Sequence, residues 1–225
     1  RNHGGLLENS GERVRLIDAM GEEILDFSYN NSWYPLTDGL GFSLVVVDEL
    51  AEPDLWDTKS QWRWSGYVNG APGSPDQTFP VIAPIYVNEV LTHTDPPQFD
   101  AIELYNPNTY DVHVGGWFLT DDLKTAKKFR IPNGTIVPAG GFIAYYEADF
   151  NPVPGTPPSF AFSSDSDEAY LFSGDLTTNL TGYYHGFDFG AAANGVSFGR
   201  HLTSAGEEHF AAQAALTLSN VNAGP

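Results

Sequence analysis

Four short patterns occur twice in this chain, in the same order and at nearly the same spacing. Arg13-Val14-Arg15-Leu16 is matched by Glu168-Ala169-Tyr170-Leu171, 155 residues on. Asp26-Phe27-Ser28-Tyr29 is matched by Thr181-Gly182-Tyr183-Tyr184 at the same distance. Gly41-Phe42-Ser43-Leu44 is matched by Gly195-Val196-Ser197-Phe198, 154 residues on, and Asn69–Gly73 and Val221–Pro225 close the two stretches. A fixed period of this kind means that one folding unit is used more than once. The second unit runs from about Val81 to Pro225. The first begins at Arg1, the counterpart of Thr156, so roughly 75 residues at the front of the unit have no counterpart. Half of such a unit leaves a sheet edge and an apolar face uncovered. The missing half is therefore expected from a longer parent chain or from a neighbouring one. The alternative is a rearranged first domain that is complete as it stands. The expected organisation is residues 1–74 as the C-terminal part of a domain, 75–80 as linker and 81–225 as a complete domain.

Strand signals dominate. Arg13–Ile17, Ile24–Tyr29, Phe42–Val47, Ile85–Leu91, Ala101–Tyr105, Phe142–Tyr146 and Ala169–Phe172 are rich in branched and aromatic residues and are bounded by turn formers. In Asp100–Leu104 the alternation puts Ile102 and Leu104 on one face and Glu103 on the other. The 23 glycines and 16 prolines leave little room for a long helix. Only Glu207–Ala215 is expected to form a short helical turn. Many short strands punctuated by turns predict an antiparallel sandwich or barrel.

Composition removes several functions. Ten basic against 29 acidic residues give a net charge of -19, which is incompatible with holding nucleic-acid phosphates. Apolar runs are too short for a membrane helix. The absence of cysteine excludes disulfides, thiolate metal sites and cysteine catalysis. High acidity with only 17% charged residues suits an extracellular protein.

Each chemical motif has a plain structural alternative. Gly195-Val196-Ser197-Phe198-Gly199 has the form G-x-S-x-G, but the nucleophile elbow needs a strand–turn–helix and an acid before a downstream histidine. His201 and His209 follow, but no Asp does, and no helix is evident. The other histidines (His3, His93, His113 and His185) show no metal-ligand spacing. Asp165, Asp167 and Glu168 are the candidate ligands for Ca²⁺, against a reading as a solvated acidic turn. Trp62 and Trp64 share a strand face, either as a sugar-stacking pair or as core residues. Trp33 and Trp117 are assigned to the two cores. The sequons at Asn30, Asn133 and Asn179 predict surface positions. No catalytic residue and no cofactor is expected; Ca²⁺ is the one ion the acidic turns suggest.

Residues 85–200 also carry a connected series of motifs. Val87-Asn88-Glu89-Val90-Leu91 opens it. Asp100–Pro107 contains I-E-L-Y-N-P, and Gly116–Asp122 reads G-W-F-L-T-D-D. Phe129–Thr135, Pro138–Phe142 and Gly195–Arg200 follow. This series resembles the lamin-tail domain family in the form found in large secreted bacterial proteins. Residues 12–73 resemble the back half of the same domain, without its N-E-V, I-E-L-Y-N and G-W-x-L-x-D segments. The resemblance implies tandem immunoglobulin-like β-sandwiches, the first lacking its N-terminal half. It implies that Trp117 plugs a core, that Asn106-Pro107 starts a turn, and that Glu103 is hydrogen-bonded or paired on the far face.

The function implied is a non-catalytic extracellular structural, adhesion or assembly module, part of a larger multidomain surface protein. The alternative is an accessory substrate- or carbohydrate-binding domain pair of a large extracellular hydrolase. Expected partners are the missing half-domain or a neighbouring chain, surface proteins or glycans, and copies of the chain itself in a homo-oligomer.

Overall fold

The computed structural model describes residues 7, 8, 10–77 and 80–225. The chain divides into two compact units, residues 1–80 and 81–225. Thr78 and Phe79 of the expected linker lie outside the described residues, as does His3.

In the first unit, β1 (Arg13–Ile17) and β2 (Glu23–Ser28) form an antiparallel hairpin, and β3 (Leu44–Val46) pairs with β4 (Trp62–Trp64). Among the described residues each pair is a sheet of only two strands. Short 3₁₀ turns fill the connections. The interior is correspondingly thin. Leu36, Phe42 and Trp62 are buried, while Leu16, Ile17 and Ile24 on the hairpin are more than half exposed. Phe27, Trp33 and Trp56 gather around Trp62, with ring centroids 5.1–6.4 Å from it.

The second unit is an antiparallel sandwich. Its strands are β5 (Tyr86–Leu91), β6 (Ala101–Tyr105), β7 (Val112–His113), β8 (Phe118–Thr120), β9 (Phe129–Arg130), β10 (Ile136–Val137) and β11 (Phe142–Tyr146). After the short helix α1 (Glu147–Phe150) come β12 (Asp167–Gly174), β13 (Leu180–Phe189), β14 (Phe198–Leu202) and β15 (Glu208–Ala212). One sheet has the order β11-β6-β5-β14-β15 and the other β13-β12-β8-β9, with β10-β7 as a separate ribbon. Val87, Val90, Ile102, Leu104, Trp117, Leu119, Leu171 and Phe187 meet between the sheets. Each such side chain contributes roughly 1.5–3 kcal/mol by leaving water. Trp117 packs against Tyr183 at 5.9 Å, in the core position expected of it.

Two sequence expectations change. Glu207–Ala215 contains no helix; its centre is the edge strand β15. The alanine-rich composition favours helix, but Phe210 stacks on Phe187 at 3.7 Å, and pairing with β14 fixes the extended form. Strand β13 was hidden because Gly182 and Gly186 interrupt its pattern. At Gly186 a side chain would strike Ala169 O, so the close approach to β12 requires glycine.

Three pieces of backbone geometry occur in both units. Asp18 accepts from the amides of Met20 and Glu22 at 2.8 Å, and Asp175 accepts from those of Thr177 and Asn179 at the same distance. Gly21 and Thr178 take positive φ in these turns. Ser65 N donates to Ser43 O at 2.8 Å, as Gln213 N does to Ser197 O. Gly70 N donates to Tyr67 O across Asn69, as Asn220 N does to Thr217 O across Ser219; Asn69 and Ser219 both have positive φ. The two hairpin turns lie 157 residues apart and the two final turns 150 residues apart.

Candidate functional site

Strand β6 alternates Ile102, Glu103 and Leu104, yet all three are fully buried. Ile102 and Leu104 face the sandwich core. Glu103 lies on the opposite face, so something must cover it there. The cover is the C-terminal segment. Glu89 of β5 and Glu103 of β6 are direct cross-strand partners, and both have no exposed surface. Glu89 accepts from Thr217 N at 3.0 Å, from Thr217 Oγ1 at 2.8 Å and from Ser197 Oγ at 2.5 Å. Glu103 accepts from Asn88 Nδ2 at 2.8 Å and from the amide of Ser219. Asn222 continues the seam, donating to Asn88 O at 3.0 Å and Arg200 O at 2.8 Å while accepting from Asn88 Nδ2. Two carboxylates, with Asn88 beside them, therefore clamp residues 217–222 across the sheet. Burial pushes the Glu103 carboxyl up to about 7; its two donors oppose this and the neighbouring Glu89 adds to it.

Ser197 is 1% exposed, and its hydroxyl is spent on Glu89. It anchors the clamp and offers no accessible nucleophile. The second glycine of its motif has a packing role. A Cβ at Gly199 would lie 2.5 Å from the Gln213 side chain, whose Nε2 donates to Ala211 O and whose Oε1 accepts from Gly224 N.

A second polar group ties the two sheets. The His185 Nδ1 on β13 accepts from Val87 N on β5 at 2.9 Å. Its Nε2 meets Glu208 at 3.2 Å, and Glu208 pairs with Arg200. Arg200 lies 4.1 Å over the Tyr86 ring. Burial lowers the His185 pKa, against the pull of Glu208. Because Nδ1 is an acceptor, the imidazole is neutral with its proton on Nε2.

The candidate Ca²⁺ ligands do not converge. Asp167 accepts from Ser163 N and Glu168 N, both inside its own turn. Glu168 reaches away to Leu123 N at 2.6 Å, and the Asp165 amide meets Ser163 Oγ. Among the described residues no three His, Asp or Glu side chains gather in metal-binding geometry. Trp62 is buried at 8% exposure, its Nε1 donating to Trp56 O at 2.6 Å. Trp64 is half-buried, edge-on to Tyr34 at 5.3 Å. The two indoles form no exposed stacking platform. Asn30, Asn133 and Asn179 are exposed, as the sequons predicted. Asn106 does more than start a turn. Fully buried, it donates to Tyr110 O, Val137 O and Pro138 O and accepts from Asn108 N.

The first unit contains an apolar cavity of about 500 Å³ between its two strand pairs. Val14, Phe27, Phe42, Leu44 and Trp62 line it, with Ser43 at its wall.

The N-E-V and I-E-L-Y-N strands and the buried Trp117 all lie within the stretch that a family comparison picks out. Residues 80–185 match the Lamin Tail Domain family. The lamin tail domain is an immunoglobulin-like, non-catalytic module, which agrees with buried carboxylates and a buried serine used as structural partners. The match stops at His185, while the sandwich continues through β14, β15 and the clamped segment. Comparison with curated proteins and with solved structures gave no match. Among the described residues no helix is long and apolar enough to cross a membrane.

Proposed function

We propose that this chain is an extracellular or cell-surface assembly module of bacterial type, belonging to a larger multidomain protein. In this reading residues 1–74 are the C-terminal part of a second lamin tail domain. The observation that carries it is the correspondence of turns and strand pairs between the units. β1-β2 corresponds to β12-β13, and β3-β4 to β14-β15. In the second unit β12 is covered by β8 and β14 by β5. Among the described residues β1 and β3 have no such neighbours. The first unit thus presents strand edges and a cavity where a complete sandwich has strands, which suits a protein that joins to others. The same places suit the missing half-domain, a neighbouring chain, or a copy of the chain in an oligomer. Surface proteins and glycans remain the expected outer partners.

The reading is tested on intact cells of the source organism. Antibody against residues 81–225 should label unpermeabilised cells, and brief external protease should remove the label. Label that appears only after permeabilisation contradicts the proposal.

A further inference from the structure

Resting on the reading of the first unit as a partial sandwich, we infer that the edge of β3 that has no strand neighbour among the described residues binds an extended strand bearing a glutamate between branched apolar residues. The template is within the chain. In the second unit β14 is bordered by β5, with Phe198 opposite Val90 and Gly199 opposite Glu89. The corresponding positions on β3 are Leu44 and Val45. Beside them, Ser197 Oγ donates to the β5 carboxylate, and the turn at Thr217 supplies a backbone N–H to it.

The first unit keeps both donors. Ser43 holds the place of Ser197, fixed by the matching 2.8 Å bond from Ser65 N. Tyr67 holds the place of Thr217, fixed by the matching turn with its positive-φ third residue. Ser43 is exposed and stands at the wall of the cavity, whereas Ser197 is buried beneath its glutamate. The geometry therefore specifies an occupant in three respects. It is extended, because a strand edge recognises backbone. It carries a carboxylate at the register of Val45, for Ser43 Oγ and Tyr67 N to bind. It carries branched apolar side chains flanking that acid, to enter the space lined by Val14, Phe27 and Trp62.

The test uses the whole 225-residue chain and a synthetic peptide of the sequence Ile85–Thr92. Binding is followed by calorimetry, and its location by amide exchange over residues 42–47. The expected result is saturable one-to-one binding with new protection at Leu44–Val46. Replacing the peptide glutamate by alanine, or Ser43→Ala in the protein, should weaken binding about tenfold, the scale of a hydrogen bond to a charged group. Three results overturn the inference: no binding although Leu44–Val46 exchange quickly in the free chain; protection at 198–202 instead, showing strand replacement in the second unit; or protection of Leu44–Val46 through concentration-dependent dimerisation without peptide. Slow exchange of Leu44–Val46 in the free monomer is a different outcome: it removes the partial-sandwich reading itself.

Discussion

Replacing Glu89 with alanine removes the acceptor on which three donors from distant parts of the chain converge. Ser197 Oγ, Thr217 N and Thr217 Oγ1 lie 2.5, 3.0 and 2.8 Å from its oxygens. Ser197 is buried and Thr217 half-buried; a buried donor left without a partner costs about 1–3 kcal/mol, and a half-buried one less, because water reaches it. Relief from burying an acid offsets part of this, and water entering behind a loosened C-terminal segment offsets more. A net loss of about 2–4 kcal/mol remains, within the range seen when a buried polar network loses one member. For a unit of this size each kcal/mol moves the midpoint by about 2–4 °C, so the second unit should melt about 4–16 °C lower. Calorimetry resolves that transition from the first unit. Amide exchange should show the loss to be directional, with Thr217 and Ser219 opening before β5 and β6. Glu89→Gln keeps one acceptor oxygen and should lose only roughly half as much, by the same accounting of donors. A Glu89→Ala protein whose C-terminal amides exchange as slowly as wild type refutes the clamp, whatever its melting point.

Three further outcomes follow from the same geometry. Glu103 has a folded pKa raised to about 7, above its unfolded value, so its stabilising contribution is complete below about pH 4.5 and is lost as pH rises through 7; Glu103→Gln should flatten that decline, an effect of about 3 kcal/mol seen in urea midpoints across pH. His185 has a lowered folded pKa, so stability falls as pH drops through about 6.5, and carbon-resolved NMR titration should show its ring still neutral there. Gly199→Ala should displace Gln213 and cost about 1–3 kcal/mol in thermal unfolding, with the paired change Gln213→Ser restoring most of it; the absence of rescue would show that the two residues are not coupled.

The sequence disclosed the fold through alternation and punctuation. β1, β6 and β11 were legible because Arg13–Ile17, Ala101–Tyr105 and Phe142–Tyr146 each form a short run between turn formers. Strand β15 was not, because Glu-Glu-His-Phe-Ala-Ala satisfies helix preference and only the stacking of Phe210 on Phe187 decides otherwise. The far-face position of Glu103 was visible in its period-two setting. Its partner was not: Ser219 is 116 residues away and contributes a backbone amide, which no side-chain pattern encodes. The same holds for Thr217 N at Glu89. Ser197 attracted attention as a motif serine, and its local sequence does not show that its hydroxyl meets an acid 108 residues earlier. Trp62 and Trp64 were ambiguous for another reason. A strand as short as three residues does not reveal which face is covered, and the covering residues Phe27, Trp56 and Tyr34 come from other segments.

The proposal open to the most direct test is that the first unit is the back half of a lamin tail sandwich, in which β3 has no strand on its inner edge among the described residues. Residue-resolved amide exchange on the intact chain compares β3 with its counterpart β14 under one condition. The proposal predicts that Leu44 exchanges orders of magnitude faster than Phe198, because Phe198 is paired with Val90 of β5 while β3 pairs with β4 alone among the described residues. Equal, strong protection of both strands would mean that the first unit closes on itself, and the account would be wrong.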